Sequence, residues 1–439
     1  MDRRSFLVTT GVLGAALTTA GAHTVKAMPA QKETGLGPLL NRQRASEFMR
    51  RADLEALLLT APMNVYYATG AIPGASRYTQ VNMTAALVPA DPKRPIAYLA
   101  SGFEYYISVS YSGLDDGVEP YLTGGSLGDP DLHSSPAFAV IGNYQFDARE
   151  QHSRLLLERA APFQESMSSA LTKALKDRSL GGRPIGCDTL DARSLLQAAS
   201  ANTAWRPADD LMLHIRSAKT PAEIALMRTA AAANVDSALA TARAARQEGT
   251  VMNIRQRFFT EAAKHGNVPV CGSVDMVMDE RVDGQLREGQ AFMIDFVSHH
   301  AFYQGDYGRT VFFGEPDKQM RYAADTGVTA WAEIRNRLRP GIRFSEIRQI
   351  GNDTVKKLGA PFTYAFNPHT VGLQHWDQPR MSIDGKPIDL PLEAGMVLSV
   401  DCHLLNAGVN GTTHVEDLTL ITESGSEPIH RTGDNIVIV

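Results

Sequence analysis

In the stretch AFMIDFVSHHAFYQGDYGRTVFFG, residues 291–314, Phe292, Ile294 and Phe296 alternate with Met293, Asp295 and Val297. A period of two predicts a strand with one apolar face, and it turns Asp295 to the other face. The whole stretch predicts two buried strands joined by a turn, with His299 and His300 in the turn as solvated imidazoles. The second strand opens with Gly305-Asp306-Tyr307-Gly308 and closes with Val311-Phe312-Phe313. Each strand therefore carries a carboxylate where a core residue would fit. In a low-dielectric interior such a group is protonated, paired with a cation or bound to a metal.

Two further patterns organise the rest of the chain. From Asn41 to Thr69 an amphipathic helical segment (RQRASEFMRRADL) precedes the apolar run Leu57 to Leu59 and then NVYYATGA, and strand and helix signals alternate to about Leu213. This predicts an α/β domain over residues 40–215. At HIRSAKTPAEIALMR, Thr220 reads as an N-cap, Pro221 as the first helical residue and Glu223 as the partner in a capping box. Ile224, Met227, Ala231, Val235 and Leu239 follow at helical spacing until Gly249, and a second helix is expected from about Arg321 to Arg337, before Arg339-Pro340-Gly341. Residues 216–439 thus form a second, α+β domain. Its strands hold the unusual acids.

Charge and composition narrow the class. The 439 residues carry a formal net charge of −5, and no basic stripe of the kind that tracks phosphates is present, so a nucleic-acid partner is not expected. Cys187, Cys271 and Cys402 are too few and too widely spaced for a disulfide scaffold, although one bridge stays open. Residues 1–30 read as a twin-arginine signal: Arg3 and Arg4 precede Ser5-Phe6-Leu7, an uncharged Ala/Gly/Thr/Leu stretch follows, and small-x-small sites end at Ala22 and Ala27. An ordinary secretory signal is the alternative. Either predicts a periplasmic or secreted protein without a stable membrane anchor after cleavage.

Three more residues join the two aspartates. Asp401 ends the apolar run GMVLSVDCHLL, Glu416 stands in HVEDLTLIT, and His369 in NPHTVGLQH. Cys402 beside Asp401 would face the opposite side of its strand and belong to the core. Three Asp, one Glu and one His make an oxygen-rich ligand set with one imidazole, which suits two adjacent divalent ions. A lone strand aspartate is often only paired or capped, but several uncompensated core carboxylates in one half of a protein would cost several kcal/mol each.

The pattern Asp295, Asp306 with Arg309-Thr310 after it, His369, Asp401 and Glu416 resembles the pita-bread metallopeptidase family of aminopeptidase P, prolidase, methionine aminopeptidase and creatinase. HIRSAKTPAEIALMRTAA is similar to the junction that opens the catalytic domain there, and the front half, with NVYYATG, is similar to the creatinase-type N-terminal domain. The resemblance implies a creatinase-like α/β domain followed by a pita-bread α+β catalytic domain. It implies two ions of Mn, Fe, Co or Zn, with Asp306 and Glu416 serving both, Asp295 one, and His369 and Asp401 the other. It also carries a homodimer as an open alternative, on which the residues are silent.

The chain departs from the peptidases at defined places. Asp401-Cys402-His403 stands where they have Glu-Pro-Gly, Trp376 where they have a second His, Asp377 where they have Glu, and His414 where they have Arg; His375 is one position early. Two mechanisms follow. As a hydrolase of Xaa-Pro peptides or a similar small substrate, the protein would activate a metal-bound water, with His375 or Asp377 carrying the proton to the leaving group. As a lyase of the dimethylsulfoniopropionate type, it would bind a substrate carboxylate at the metals and use Asp377 or Tyr364 as base. A creatinase-like enzyme and a ligand-binding protein on the same fold complete the alternatives.

Overall fold

A computed structural model describes residues 38–439 apart from 73, 75–83, 110–112, 125–142, 144, 148–149, 152–154, 156–161, 406–410 and 431–434. The signal-like residues 1–30 and both candidate cleavage sites lie outside the described residues. Among those described, no helix is long and apolar enough to cross a membrane.

The front half holds α1 (Arg42–Arg51), β1 (Ala56–Leu59), α2 (Pro62–Thr69), β2 (Thr84–Pro89), β3 (Ile96–Ser101), α3 (Gly102–Val109), β4 (Val118–Thr123), α4 (Met167–Asp177), β5 (Ile185–Cys187), α5 (Leu190–Ala199), β6 (Trp205–Pro207) and α6 (Asp209–Ser217). Its strands form a mixed sheet in the order β4-β3-β2-β1-β5-β6. The stretch NVYYATGA, read as part of the alternation, is helical from Pro62, where proline at the first turn needs no amide partner, to Gly70, whose φ of 73° ends the helix.

The second half runs α7 (Pro221–Arg243), α8 (Ala245–Glu248), α9 (Val251–Lys264), β7 (Val268–Val274), β8 (Gln290–His300), β9 (Tyr303–Phe313), α10 (Lys318–Arg335), α11 (Phe344–Lys357), β10 (Ala365–Thr370), β11 (Val397–Leu404), β12 (Thr413–Asp417), β13 (Thr419–Ile421), β14 (Ser426–Pro428) and β15 (Ile436–Ile438). The capping box at Thr220 and Glu223 forms in both directions. The helix expected from Arg321 starts three residues earlier, because the Asp317 side chain accepts from the amides of Gln319 and Met320. The strands make one large sheet in the order β14-β13-β11-β12-β9-β8-β7, with β10 added beside β11 and β15 beside β9.

The β8–β9 hairpin corrects one expectation. His299 and His300 belong to the strand, and the turn is only Ala301-Phe302, both left-handed at φ 46° and 67°. Two residues at positive φ match the twist of the flanking strands, and Phe302 is held there by stacking on His299 at 5.1 Å between ring centroids.

The hydrophobic face of β8 is the one its sequence predicts. Phe292, Ile294 and Phe296 pack with Val235 and Ala238 of α7 and with Ile254 and Phe258 of α9. Phe258 and Phe296 stack at 4.2 Å. Burying each phenylalanine contributes about 1.5–3 kcal/mol, so a one-residue slip that turned Asp295 inward would cost far more than the hairpin could offset. On the neighbouring stretch Leu398, Val400, Cys402 and Leu404 of β11 face Trp331 and Ile334 of α10 and Ile347 and Val355 of α11. Cys402 is therefore core, and all three cysteines are free. A further cluster joins the two halves through Tyr66, Met227, Tyr303, Val371 and Leu418.

Candidate metal centre

With the apolar side chains directed at the helices, the opposite face of the large sheet is left to the polar ones. Register puts them side by side. Asp295 on β8 and Glu416 on β12 both pair with Gly308 on β9, Asp306 lies two residues before that glycine, and Ser399 on β11 pairs with His369 on β10. Asp295, Asp306, His369, Asp401 and Glu416 thus come from five different strands to one patch. Asp306, His369 and Glu416 are fully enclosed, Asp401 is nearly so, and Asp295 stays partly open.

The distances are those of a ligand cage. His369 Nε2 lies 3.9 Å from Asp306, 3.4 Å from Asp401 and 3.5 Å from Glu416. The other nitrogen of His369, Nδ1, sits 3.1 Å from the backbone carbonyl of His375, which orients the ring and leaves Nε2 for the acids. Ser399 donates to Glu416 at 2.5 Å. Two overlapping groups, His369-Asp401-Glu416 and Asp295-Asp306-Glu416, each bring three ligand atoms within 4.8 Å of one another.

The protein groups of this patch are by themselves electrostatically frustrated. Burial first, and then the charge of Glu416, push Asp295 up to about 7, Asp401 to about 6 and Asp306 well above the usual carboxylate range. Burial also works against ionised Glu416, but hydrogen bonds from His369 and His414 outweigh it and hold that carboxyl well down. For His369 the pull of burial is overridden by Asp401 and Glu416, which lift it to about 10. Protons thus gather where cations are called for. Neither oxygen of buried Asp306 has a hydrogen-bond partner. An orphaned buried carboxylate costs far more than one whose lone pairs are used. Four carboxylates facing one another match the charge of two divalent ions, so the residues present fit the metals that the resemblance implies.

The two proton carriers expected beside the cage part company. His375 faces it, with Nδ1 3.6 Å from Asp306 and no hydrogen-bond partner, and burial pulls its pKa down to about 4. Asp377 does not. It is buried between Arg216 at 2.5 Å and Lys219 at 3.2 Å, and those two cations override burial and hold it below the usual range. Gly372 leaves the room: a Cβ there would lie 2.2 Å from the Asp377 carboxylate. Asp377 is thereby corrected from a catalytic candidate to a clamp on the HIRSAKT junction. Tyr364 is corrected as well, since its hydroxyl is spent on the Ala323 carbonyl and on Thr413. Trp376, more than half exposed, lies over the His369 ring with centroids 5.8 Å apart.

Sequence reasoning missed His403 and His414 as members of the patch. They are cross-strand partners on β11 and β12, stacked at 4.1 Å, and His414 Nε2 is 3.2 Å from Glu416. Arg309 and Thr310, noted only as followers of Asp306, have structural tasks. Arg309 pairs with Asp417 at 2.6 Å and donates to the Glu416 carbonyl, and Thr310 Oγ1 bonds both the amide and the carbonyl of His414. A clue was present: alternation puts Asp401 with His403, and His414 with Glu416, on one face of each strand.

A mixed-sheet front domain followed by a large sheet that carries a buried carboxylate and imidazole cage defines the architecture, and comparison with known proteins gives its family. Residues 223–423 match the model of metallopeptidase family M24 and residues 41–116 that of the creatinase/prolidase N-terminal domain. The chain belongs to the pita-bread M24 family. A Xaa-Pro dipeptidase of Pyrococcus horikoshii is 24% identical over 157 residues, 35% of this chain and 43% of the relative, and an uncharacterized peptidase of Staphylococcus epidermidis is 29% identical over 149 residues, 33% and 40%. The matches thus span about two fifths of these curated relatives. The crystal structure of the prolidase from Pyrococcus horikoshii OT3 superposes with a TM-score of 0.64 at 18% identity, covering 90% of this chain and 99% of that one. That of the X-Pro aminopeptidase from Thermotoga maritima gives 0.64 at 15%, covering 91% and 99%. These likenesses show a shared fold.

Proposed function

We propose that the protein is an exported hydrolase of Xaa-Pro peptides that works with two divalent metal ions. The observation that carries the reading is Asp306, enclosed, without a hydrogen-bond partner for either oxygen, and surrounded by three more carboxylates and His369. Asp295, Asp306 and Glu416 would hold one ion and His369, Asp401 and Glu416 the other, with Mn, Fe, Co or Zn as the candidates. Bound there, such ions supply Lewis acidity toward a carbonyl and make a neutral-pH nucleophile of water.

The chain's own groups do the rest. His375 is neutral at pH 7 and presents an unpartnered ring nitrogen beside the cage, so it can take the proton that the attacking water loses. Its low pKa makes the imidazolium a strong donor, and the proton passes on to the departing nitrogen. Exposed Trp376 offers an apolar surface against which a proline ring would pack. Support for the substrate class is the name of the Pyrococcus relative, a Xaa-Pro dipeptidase. The paired arginines Arg3 and Arg4 support export, with the periplasm or medium as destination.

The lyase reading loses its bases: Asp377 is neutralised by two cations and Tyr364 is bonded inside the core. Elemental analysis of the exported protein, followed by a panel of Xaa-Pro dipeptides and tripeptides, tests the proposal. At least two ions per chain and cleavage after the first residue are expected. A metal-loaded protein that leaves the panel intact would refute the substrate assignment, and absence of metal after incubation with all four ions would refute the centre.

A further inference from the structure

His403 and His414 raise a question that the carboxylate cage does not answer. Both are buried imidazoles on the ligand-bearing face, neither belongs to the two groups assigned above, and together with Asp295 they bring one ligand atom each within 4.8 Å of one another. We propose that Asp295, His403 and His414 form a separate, nitrogen-rich site for a transition-metal ion, beside the carboxylate cage and sharing Asp295 with it.

Gly308 is what lets the three meet. It sits between Asp295 on one side and β12 on the other, and it has no side chain. The space is filled by the His414 ring: a Cβ on Gly308 would lie 1.9 Å from His414 Nε2 and 2.0 Å from Cδ2. Any other residue in that row would wall Asp295 off from the imidazoles. Because Gly308 is bare, His414 leans across the strand toward β8, and His403, its direct partner on β11, follows it in a parallel stack with 16° between the rings.

Two details mark these imidazoles as ligands in waiting. His414 Nδ1 faces the backbone carbonyl of Cys402 at 3.4 Å, an outer contact of the kind that fixes a ligating histidine, and its Nε2 lies 3.2 Å from Glu416, a hydrogen bond that an ion on Nε2 would replace. His403, 5% exposed, has a buried Nε2 with no hydrogen-bond partner, which a metal bond would satisfy. Two imidazoles and one carboxylate suit Zn, Cu, Co or Ni better than the carboxylate-rich neighbour does, and three protein ligands leave a coordination position open. The two sites therefore differ in the ions they select.

The test uses a chain in which the other groups are broken. Asp306→Asn with His369→Ala removes a member from each of the remaining candidate groups and leaves Asp295, His403 and His414 intact. Titrated with Cu²⁺ and read by electron paramagnetic resonance, this variant should bind about one ion per chain with hyperfine coupling to two nitrogens, and adding His403→Phe should abolish both the ion and the coupling. Retention of the same signal after His403→Phe, or no specific Cu²⁺ in the first variant, would overturn the proposal. Should the combined variant fail to fold, His403→Phe alone decides: it should lower the number of nitrogens coupled to Cu²⁺ and the metal content of the otherwise intact protein, and an unchanged spectrum and content would overturn it. Metal content and spectrum are independent of peptide cleavage, so this site can fail while the hydrolase reading stands, and the reverse.

Discussion

Asp377→Ala separates a clamp from a catalyst. In the native protein Asp377 neutralises Arg216 and Lys219, and all three side chains are at most 2% exposed. Removing one partner of a buried ion pair typically costs about 3–5 kcal/mol, because the remaining charge is left uncompensated. Here part of the loss is offset. Arg216 keeps Asn64 at 2.5 Å and Gln374 at 3.0 Å, and Lys219 also acts on buried Glu223, whose pKa burial raises to about 7 against the opposing pull of Lys219. The lower end, about 3 kcal/mol, is expected, equivalent to a drop in Tm of roughly 3–4 °C for the compact unit Leu36–Val439. Asp377 has a depressed pKa, so its stabilisation is present above the ordinary carboxylate pKa near 4 and is lost as pH falls through the lower folded-state value. Urea and thermal melts at pH 7 and pH 3, with metal content measured at pH 7, check this: a large gap at pH 7 that narrows at pH 3, with the parent's metal content kept at pH 7. A variant as stable as the parent but unable to turn over substrate would refute the clamp and restore Asp377 as a proton carrier.

Other predictions address the cage. After chelation, stability should fall as pH rises from about 4 to 7, since Asp295 and Asp401 hold protons in the folded state up to about 7 and 6 and lose them at lower pH when unfolded; it should fall again toward pH 10 as His369 gives up its proton. Melts of chelated protein across pH, with and without added Mn²⁺, should show the decline only in the metal-free samples. His375→Ala should reduce kcat by roughly 10²–10⁴ with metal content unchanged, as read by single-turnover kinetics and elemental analysis; loss of metal instead would make His375 a ligand. Gly308→Ala should cost about 1–3 kcal/mol by driving its methyl into the His414 ring, and an unperturbed melt would show that the ring has another place to go.

Much of this was legible locally. The capping box at Thr220 and Glu223, the apolar face of β8 and the core position of Cys402 each depend on residues within a few positions of one another, where helical or strand periodicity alone decides the outcome. The four acids and the imidazole that form the cage were legible for a related reason: a carboxylate in an apolar strand breaks the pattern, and the break is visible one strand at a time. The expected turn at His299-His300 failed because a two-residue turn at positive φ without glycine has no local signature, and Phe302 is held there by stacking.

What the sequence determined, then, is which side chains turn to the polar face of each strand. Which of them touch was decided only by register between strands far apart in the chain. Asp377 reads as one more acid near His375, yet Arg216 and Lys219, more than 150 residues earlier, hold its two oxygens at 2.5 and 3.2 Å, and a charge in a low-dielectric interior goes to its counter-charge. His403 and His414 read as substitutions for residues of another kind. The pairing of β11 with β12 and the bare Gly308 between β12 and β8 bring them to Asp295, because the absence of one side chain creates a space that only the assembled sheet defines.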